Sequence, residues 1–120
     1  MRVYFNPEIF LKIAKEIKDD RSLDEQGRFR TSIGRAYYAA FLKTREHLSY
    51  RGYSFDKDHQ HQDVLNALDD LNQDTLKTWL DNLRDNRVNA DYYLGKVVHE
   101  GLCEKSLILS EEIINSIEGI

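Results

Sequence analysis

The chain has 120 residues, 32% of them charged and 41% apolar, with a formal net charge of −4. That balance excludes a uniformly basic surface, so any RNA or DNA site has to be a local basic patch. The single cysteine, Cys103, excludes an internal disulfide, and no apolar run approaches the roughly 20 residues of a membrane span.

The length suits one domain, expected over residues 1–120, with a core that needs no disulfides. The N-terminal stretch MRVYFNPEIF lacks the charged-then-apolar order of a leader, so a complete, cytoplasmic chain is expected. One proline and six glycines are few, which favours long helices with short connections.

Asn6-Pro7-Glu8 predicts a helix start. Asn caps free backbone N–H groups, and Pro is tolerated at the first helical position. Ile9, Phe10, Ile13, Ala14 and Ile17 then form an apolar face. The helix is expected to fade at Asp19-Asp20, where carboxylates oppose the negative end of the helix dipole. Asp24 or Ser22 is expected to cap the next helix.

The second helix is predicted from about Glu25 to Tyr50, and the rest of the chain is organised around it. Ile33, Tyr37, Ala40, Phe41, Thr44 and Leu48 recur at three- and four-residue steps on one face. Gly34, Ala36, Ala39 and Ala40 keep parts of it thin, so a neighbouring helix can come close. Its apolar arc is too wide for one partner, which predicts the central helix of a bundle and leaves arc to spare for a second copy. Gly52 is the expected terminator, and Tyr53 to Gln62 reads as a polar loop with Asp58 as a candidate cap.

Val64, Ala67, Leu68 and Leu71 make a short third face. Asn72-Gln73-Asp74 predicts a break and a new cap, after which Leu76, Trp79, Leu80 and Leu83 carry on towards Val88. The stretch from Asn89 to Gly95 is expected to end that helix and turn the chain. A last helix is expected from about Lys96 to Ile117, with Val98, Leu102, Leu109, Ile113 and Ile117 as its stripe and Val97, Leu107 and Ile114 widening it. The sum is an all-α, up-and-down bundle of four to five helices.

Leu83 to Tyr93, LRDNRVNADYY, is the other informative stretch. Arg84 and Arg87 sit three apart and share a helix face. Such a pair can grip a phosphate bidentately. The plainer reading is ion pairing with Asp81, Asp85 or Asp91. Arg28, Arg30 and Arg35 line the first half of the central helix; Arg28 and Arg35 share a face and can add to a basic groove, or simply solvate it. His59-x-His61, with Asp58 and Asp63 nearby, has metal-ligand residue types but no third remote ligand, so no metal and no cofactor is expected. His47 and His99 read as surface or helix-seam residues. Cys103, among apolar neighbours, reads as buried and inert.

RAYYAAF, at Arg35 to Phe41, and RVNADYY, at Arg87 to Tyr93, in this order and separated by a histidine-containing loop, resemble the motifs of the small prokaryotic HEPN domains. The resemblance covers nearly the whole chain, from about Glu8 to Ile117. It implies a helical bundle that forms a homodimer. Many such domains are metal-independent RNases, and some are toxins paired with a small nucleotidyltransferase. Their active residues are an Arg, often followed by a polar residue, and a His a few positions on. Arg84-Asp85 fits the first part, but the position reached is Asp91. Arg87-x-x-Ala-Asp-Tyr resembles a subgroup that carries Asp where active members carry His. Tyr93, two positions past Asp91, matches the tyrosine that the nucleotidyltransferase modifies in some pairs. The plainer reading has Tyr92 and Tyr93 packed against the last helix with wet hydroxyls.

The replacement matters chemically. RNA transesterification needs a base for the 2′-OH proton and an acid for the leaving oxygen, and His serves both with a pKa of about 6.5. Asp, at about 3.9 when unperturbed, is a weak base and a poor acid at neutral pH. Its charge also repels phosphate. Asp91 therefore reads as the partner that orders Arg84 or Arg87 rather than as a catalyst. The expected function is a HEPN-domain protein with a degenerate RNase motif at Arg84, Arg87 and Asp91. It would bind RNA or nucleotide phosphate through Arg35, Arg84 and Arg87, pair with a nucleotidyltransferase, or do both. The alternatives are an active RNase toxin, using Arg84 or Arg87 with His99, His59 or His61, and a non-catalytic helical adaptor.

Overall fold

A computed structural model describes residues 4–120. The first three residues, part of the N-terminal stretch read above, lie outside the described residues. The element order is α1 (Glu8–Asp19), α2 (Glu25–Tyr50), α3 (Gln60–Asp70), α4 (Asp74–Tyr92) and α5 (Glu100–Ile117), and no strand occurs among the described residues. Among them, no helix is long and apolar enough to cross a membrane.

α2 packs against all four other helices. Its small residues allow this: Ala36, Ala39 and Ala40 are fully buried, as are Ile33 and Leu48. Towards its C-terminal half, Tyr37, Phe41 and Leu48 meet Leu68 of α3, Leu80 and Leu83 of α4, and Ile113 and Ile117 of α5. Towards its N-terminal half, Phe29, Ile33 and Ala36 meet Leu11 and Ala14 of α1, Ala90 of α4 and Cys103 and Ile114 of α5. Two buried serines tie helices together through backbone carbonyls: Ser32 Oγ donates to Ala14 O and Ser110 Oγ to Ala36 O, each at 2.7 Å. The wide apolar arc of α2 is thus covered within the chain and gives no argument for a second copy.

The helix starts follow local chemistry. Asn6 Oδ1 accepts from Glu8 N–H at 3.0 Å, and Asp24 accepts from Gly27 N–H at 2.9 Å. Gly52 takes a positive φ of 92° just past α2, and Asn72 one of 57° at the break before α4. Asp58 does not cap α3; His59 occupies that position without a side-chain cap, and the helix begins at Gln60, inside the expected loop.

Two further expectations need correction. α1 is apolar on more than one side, and the side that turns inward carries Leu11 and Ala14, while Ile9 and Ile13 remain exposed. α5 begins at Glu100 rather than Lys96. Val98 is buried ahead of it, and Val97 is exposed. α4 ends at Tyr92, inside the stretch expected to end it. It continues through Asn89, Ala90 and Asp91 to that residue because Ala90 is buried against α2 and α5.

Candidate functional site

The site is built on the Tyr37-Tyr38 pair of α2. Adjacent helical residues diverge by about 100°, so Tyr37 enters the core while Tyr38 lies half-buried at the seam with α4. α4 presents Asp81, Arg84, Arg87 and Asp91 at three- and four-residue steps, so these can share the side beside that pair. α1 adds Phe10, and the first turn of α3 adds His61.

Arg87 is the hub. Its Nε donates to Asp91 Oδ2 at 3.0 Å. Its guanidinium carbon sits 5.2 Å from the Tyr38 ring centre and 5.6 Å from that of Tyr37. Arg35 reaches the same Tyr38 ring at 5.0 Å and the Phe10 ring at 5.2 Å. Two guanidiniums therefore share one phenol, an arrangement that relies on cation–π attraction to hold like charges close. Arg84 is exposed and makes no side-chain hydrogen bond or ion pair among the described residues. Its charge nevertheless acts on the Tyr37 hydroxyl and on His61. Arg35, Arg84 and Arg87 thus gather around one aromatic pair, with one carboxylate bond to Arg87.

His61 is the residue whose place could not be read locally. Its Nδ1 is hydrogen-bonded to the Tyr37 hydroxyl at 2.7 Å, and its Nε2 lies 3.3 Å from Asp81 Oδ1. A carboxylate accepts, so the neutral ring carries its proton on Nε2 and takes the Tyr37 O–H at Nδ1. Burial pushes the His61 pKa down, and Arg84 pushes the same way, against the opposing pull of Asp81 and Asp85. Burial also pushes the Tyr37 phenol up, so it stays protonated.

Other candidates fall elsewhere. Arg28 does not join a basic groove: it is buried and donates to Lys18 O at 3.0 Å and Leu23 O at 3.2 Å, closing the α1–α2 connection. Arg30 donates to the carbonyls of Ala90, Tyr93 and Lys96 instead of solvating the helix. His59 is exposed beside Asp56 while His61 turns inward, so the His-x-His pair does not converge. Among the described residues no group of three metal-ligating side chains comes together. His47 bonds the carbonyl of Ile120, and His99 stands exposed before α5. Cys103 is buried, and burial raises its thiol pKa. Tyr92 and Tyr93 are 66% and 51% exposed, more open than residues packed on a helix, and the Lys96 ammonium sits 5.0 Å over the Tyr93 ring.

A family model described as HEPN domain matches residues 8–120. An uncharacterized protein of Methanocaldococcus jannaschii is 48% identical over 42 residues, which are 35% of this chain and 24% of that one. The matched part is thus about a quarter of that relative's length. No solved structure matches.

Proposed function

The chain belongs to the HEPN domain family, and on that premise we propose that it binds RNA or nucleotide phosphate on Arg35, Arg84 and Arg87, at an RNase motif that has lost its histidine. The observation that carries this reading is the approach of both Arg35 and Arg87 to the Tyr38 ring, at 5.0 and 5.2 Å from its centre, with Asp91 bonded to Arg87 Nε. That bond uses the Nε edge of the fork. Among the described residues the terminal nitrogens of Arg87 make no carboxylate bond, and the cation–π contacts with Tyr37 and Tyr38 leave them available for a phosphate. Asp91 acts as the orienting acceptor. It does not supply the proton shuttle that strand cleavage needs.

A homodimer, a nucleotidyltransferase partner and a cytoplasmic setting belong to the same reading and rest on family membership. Exposed Tyr93 is the residue such a partner would modify.

One observation favours a second reading, an active metal-independent RNase. His61 stands between Tyr37 and Asp81 within the field of Arg84. Both of its ring nitrogens already have partners, so it would have to give up one of them to serve as a base. This is why the binding reading is preferred.

The two readings part on one experiment. Purified protein is incubated with a tRNA and mRNA mixture in EDTA, beside Arg84→Ala, Arg87→Ala and His61→Gln. Intact RNA, together with retention of RNA that weakens in both arginine variants, supports binding without cleavage. Cleavage lost in Arg84→Ala and His61→Gln would establish the RNase instead. Neither retention nor cleavage by folded protein would leave the helical adaptor.

A further inference from the structure

The geometry points to Arg30, with Gln26, as the positioning residue of the arginine site: it holds the end of α4 so that Asp91 stays in register with Arg87. This deepens the phosphate-binding reading and rests on it.

The last carbonyls of a helix have no partner within the helix, and an end left without one frays. α4 ends at Tyr92, and its terminal carbonyls lie beside α2. Arg30 Nη1 donates to Ala90 O at 2.8 Å and to Tyr93 O at 3.4 Å, while Nη2 donates to Lys96 O. One guanidinium thus brackets Asp91 from both sides along the chain. Its positive charge also faces the negative end of the α4 dipole. Gln26, one turn earlier on α2, completes the clasp. Its Oε1 accepts from Arg30 Nε at 3.4 Å and from Val98 N–H at 2.9 Å, and its Nε2 donates to Val98 O at 2.6 Å.

Beside the burial of Ala90, the clasp accounts for two features of this segment. α4 runs through Asn89-Ala90-Asp91-Tyr92, although its final turn has no basic residue of its own and carries the Asp91 carboxylate. In the segment after it Tyr93, Leu94 and Val97 are more than half exposed, so these side chains do little to fix it. The hydrogen bonds from α2 do that instead. Asp91 is the one residue of the segment bonded to the arginine site, so the clasp acts on phosphate through the Arg87–Asp91 pair.

The test uses Arg30→Lys, which keeps the charge and the helix propensity but loses the planar fork, and Arg30→Ala as the full deletion. Two quantities are read: hydrogen exchange over residues 91–98, and affinity for a fluorescein-labelled single-stranded RNA 12-mer. In both variants exchange over 91–98 is expected to quicken by about tenfold or more while the α2 core is unchanged. RNA affinity is expected to fall by about threefold to tenfold in Arg30→Lys, and Arg30→Lys should have no further effect in an Asp91→Ala background. A purely structural role would give the same loss in both backgrounds. Unchanged exchange in both variants overturns the clasp. Unchanged affinity in Arg30→Lys, or an equal loss with Asp91→Ala, overturns the positioning role. If the folded wild type does not bind the RNA, the phosphate-binding reading fails with it, and exchange over 91–98 alone decides whether the clasp stands.

Discussion

Asp91 accepts a hydrogen bond from Arg87 one turn earlier on the same helix, at 3.0 Å, and the two side chains are 35% and 20% exposed. An i,i+4 pair in water contributes only about 0.3–0.5 kcal/mol to a helix. The carboxylate here also stands at the negative end of the α4 dipole, which reduces that gain. The pair is therefore better understood as orienting Arg87 than as stabilising the fold.

Asp91→Asn separates the two effects of this carboxylate. The amide oxygen can still accept from Arg87 Nε, while the negative charge beside the proposed phosphate position is gone. Melting temperature should change little. RNA affinity should rise by a few-fold, about 0.5–1 kcal/mol for one screened like charge removed. Anisotropy titration at fixed salt measures it, and weaker binding by Asp91→Asn would count against the proposed position of the phosphate.

Each arginine that touches a phosphate leaves a mark on the salt dependence. Single-stranded RNA contacts contribute about −0.7 each to the slope of log K against log salt. If Arg35, Arg84 and Arg87 hold phosphate as proposed, the slope should be about −2, and Arg84→Ala should reduce its magnitude by about 0.7. A slope that stays the same in Arg84→Ala would remove that residue from the site.

His61 couples stability to pH. Its pKa in the folded chain is lowered, by burial first and by Arg84 as well, below the ordinary value of about 6.5. The unfolded chain therefore takes up this proton before the folded chain does. The contribution is present above the ordinary value and is lost as pH falls through the lowered one. Thermal unfolding between pH 7.5 and 5 should show wild type losing more stability than His61→Gln. Parallel curves would mean that His61 is not buried beside Tyr37 and Arg84 as described.

Gly34 lies buried in α2 beside the site, where a thin helix was expected to need it. A β-carbon there would meet only Asp91 Oδ1, at 3.8 Å, an ordinary contact. Gly34→Ala should stabilise the protein by up to about 1 kcal/mol through helix propensity, without changing RNA affinity. Destabilisation in chemical denaturation would mean that the α2–α4 seam is tighter than these distances.

Local chemistry made much of the fold legible. The spacing from Ile33 to Leu48, the Asp24 cap and Gly52 locate α2, and these depend only on near neighbours in the chain. α1 was harder because Ile9 and Ile13 are as apolar as Leu11, and periodicity cannot say which side meets α2. The end of α4 was legible to within a few residues, since Tyr92 falls inside the stretch from Asn89 to Gly95, but its bond from Arg30, 60 residues from Ala90 in sequence, was not. The grouping of Arg84 and Arg87 could be read from one helix turn. The Tyr37–His61 bond, between residues on different helices, could not.

The most direct measurement is titration of the labelled single-stranded RNA 12-mer with wild type and Arg87→Ala in EDTA, with the RNA run on a denaturing gel afterwards. The predicted result is salt-dependent binding by wild type, at least about tenfold weaker binding by Arg87→Ala, and intact RNA in both. Equal affinity in the two proteins, or cleaved RNA with wild type alone, would contradict a binding site organised by Arg87 and Asp91.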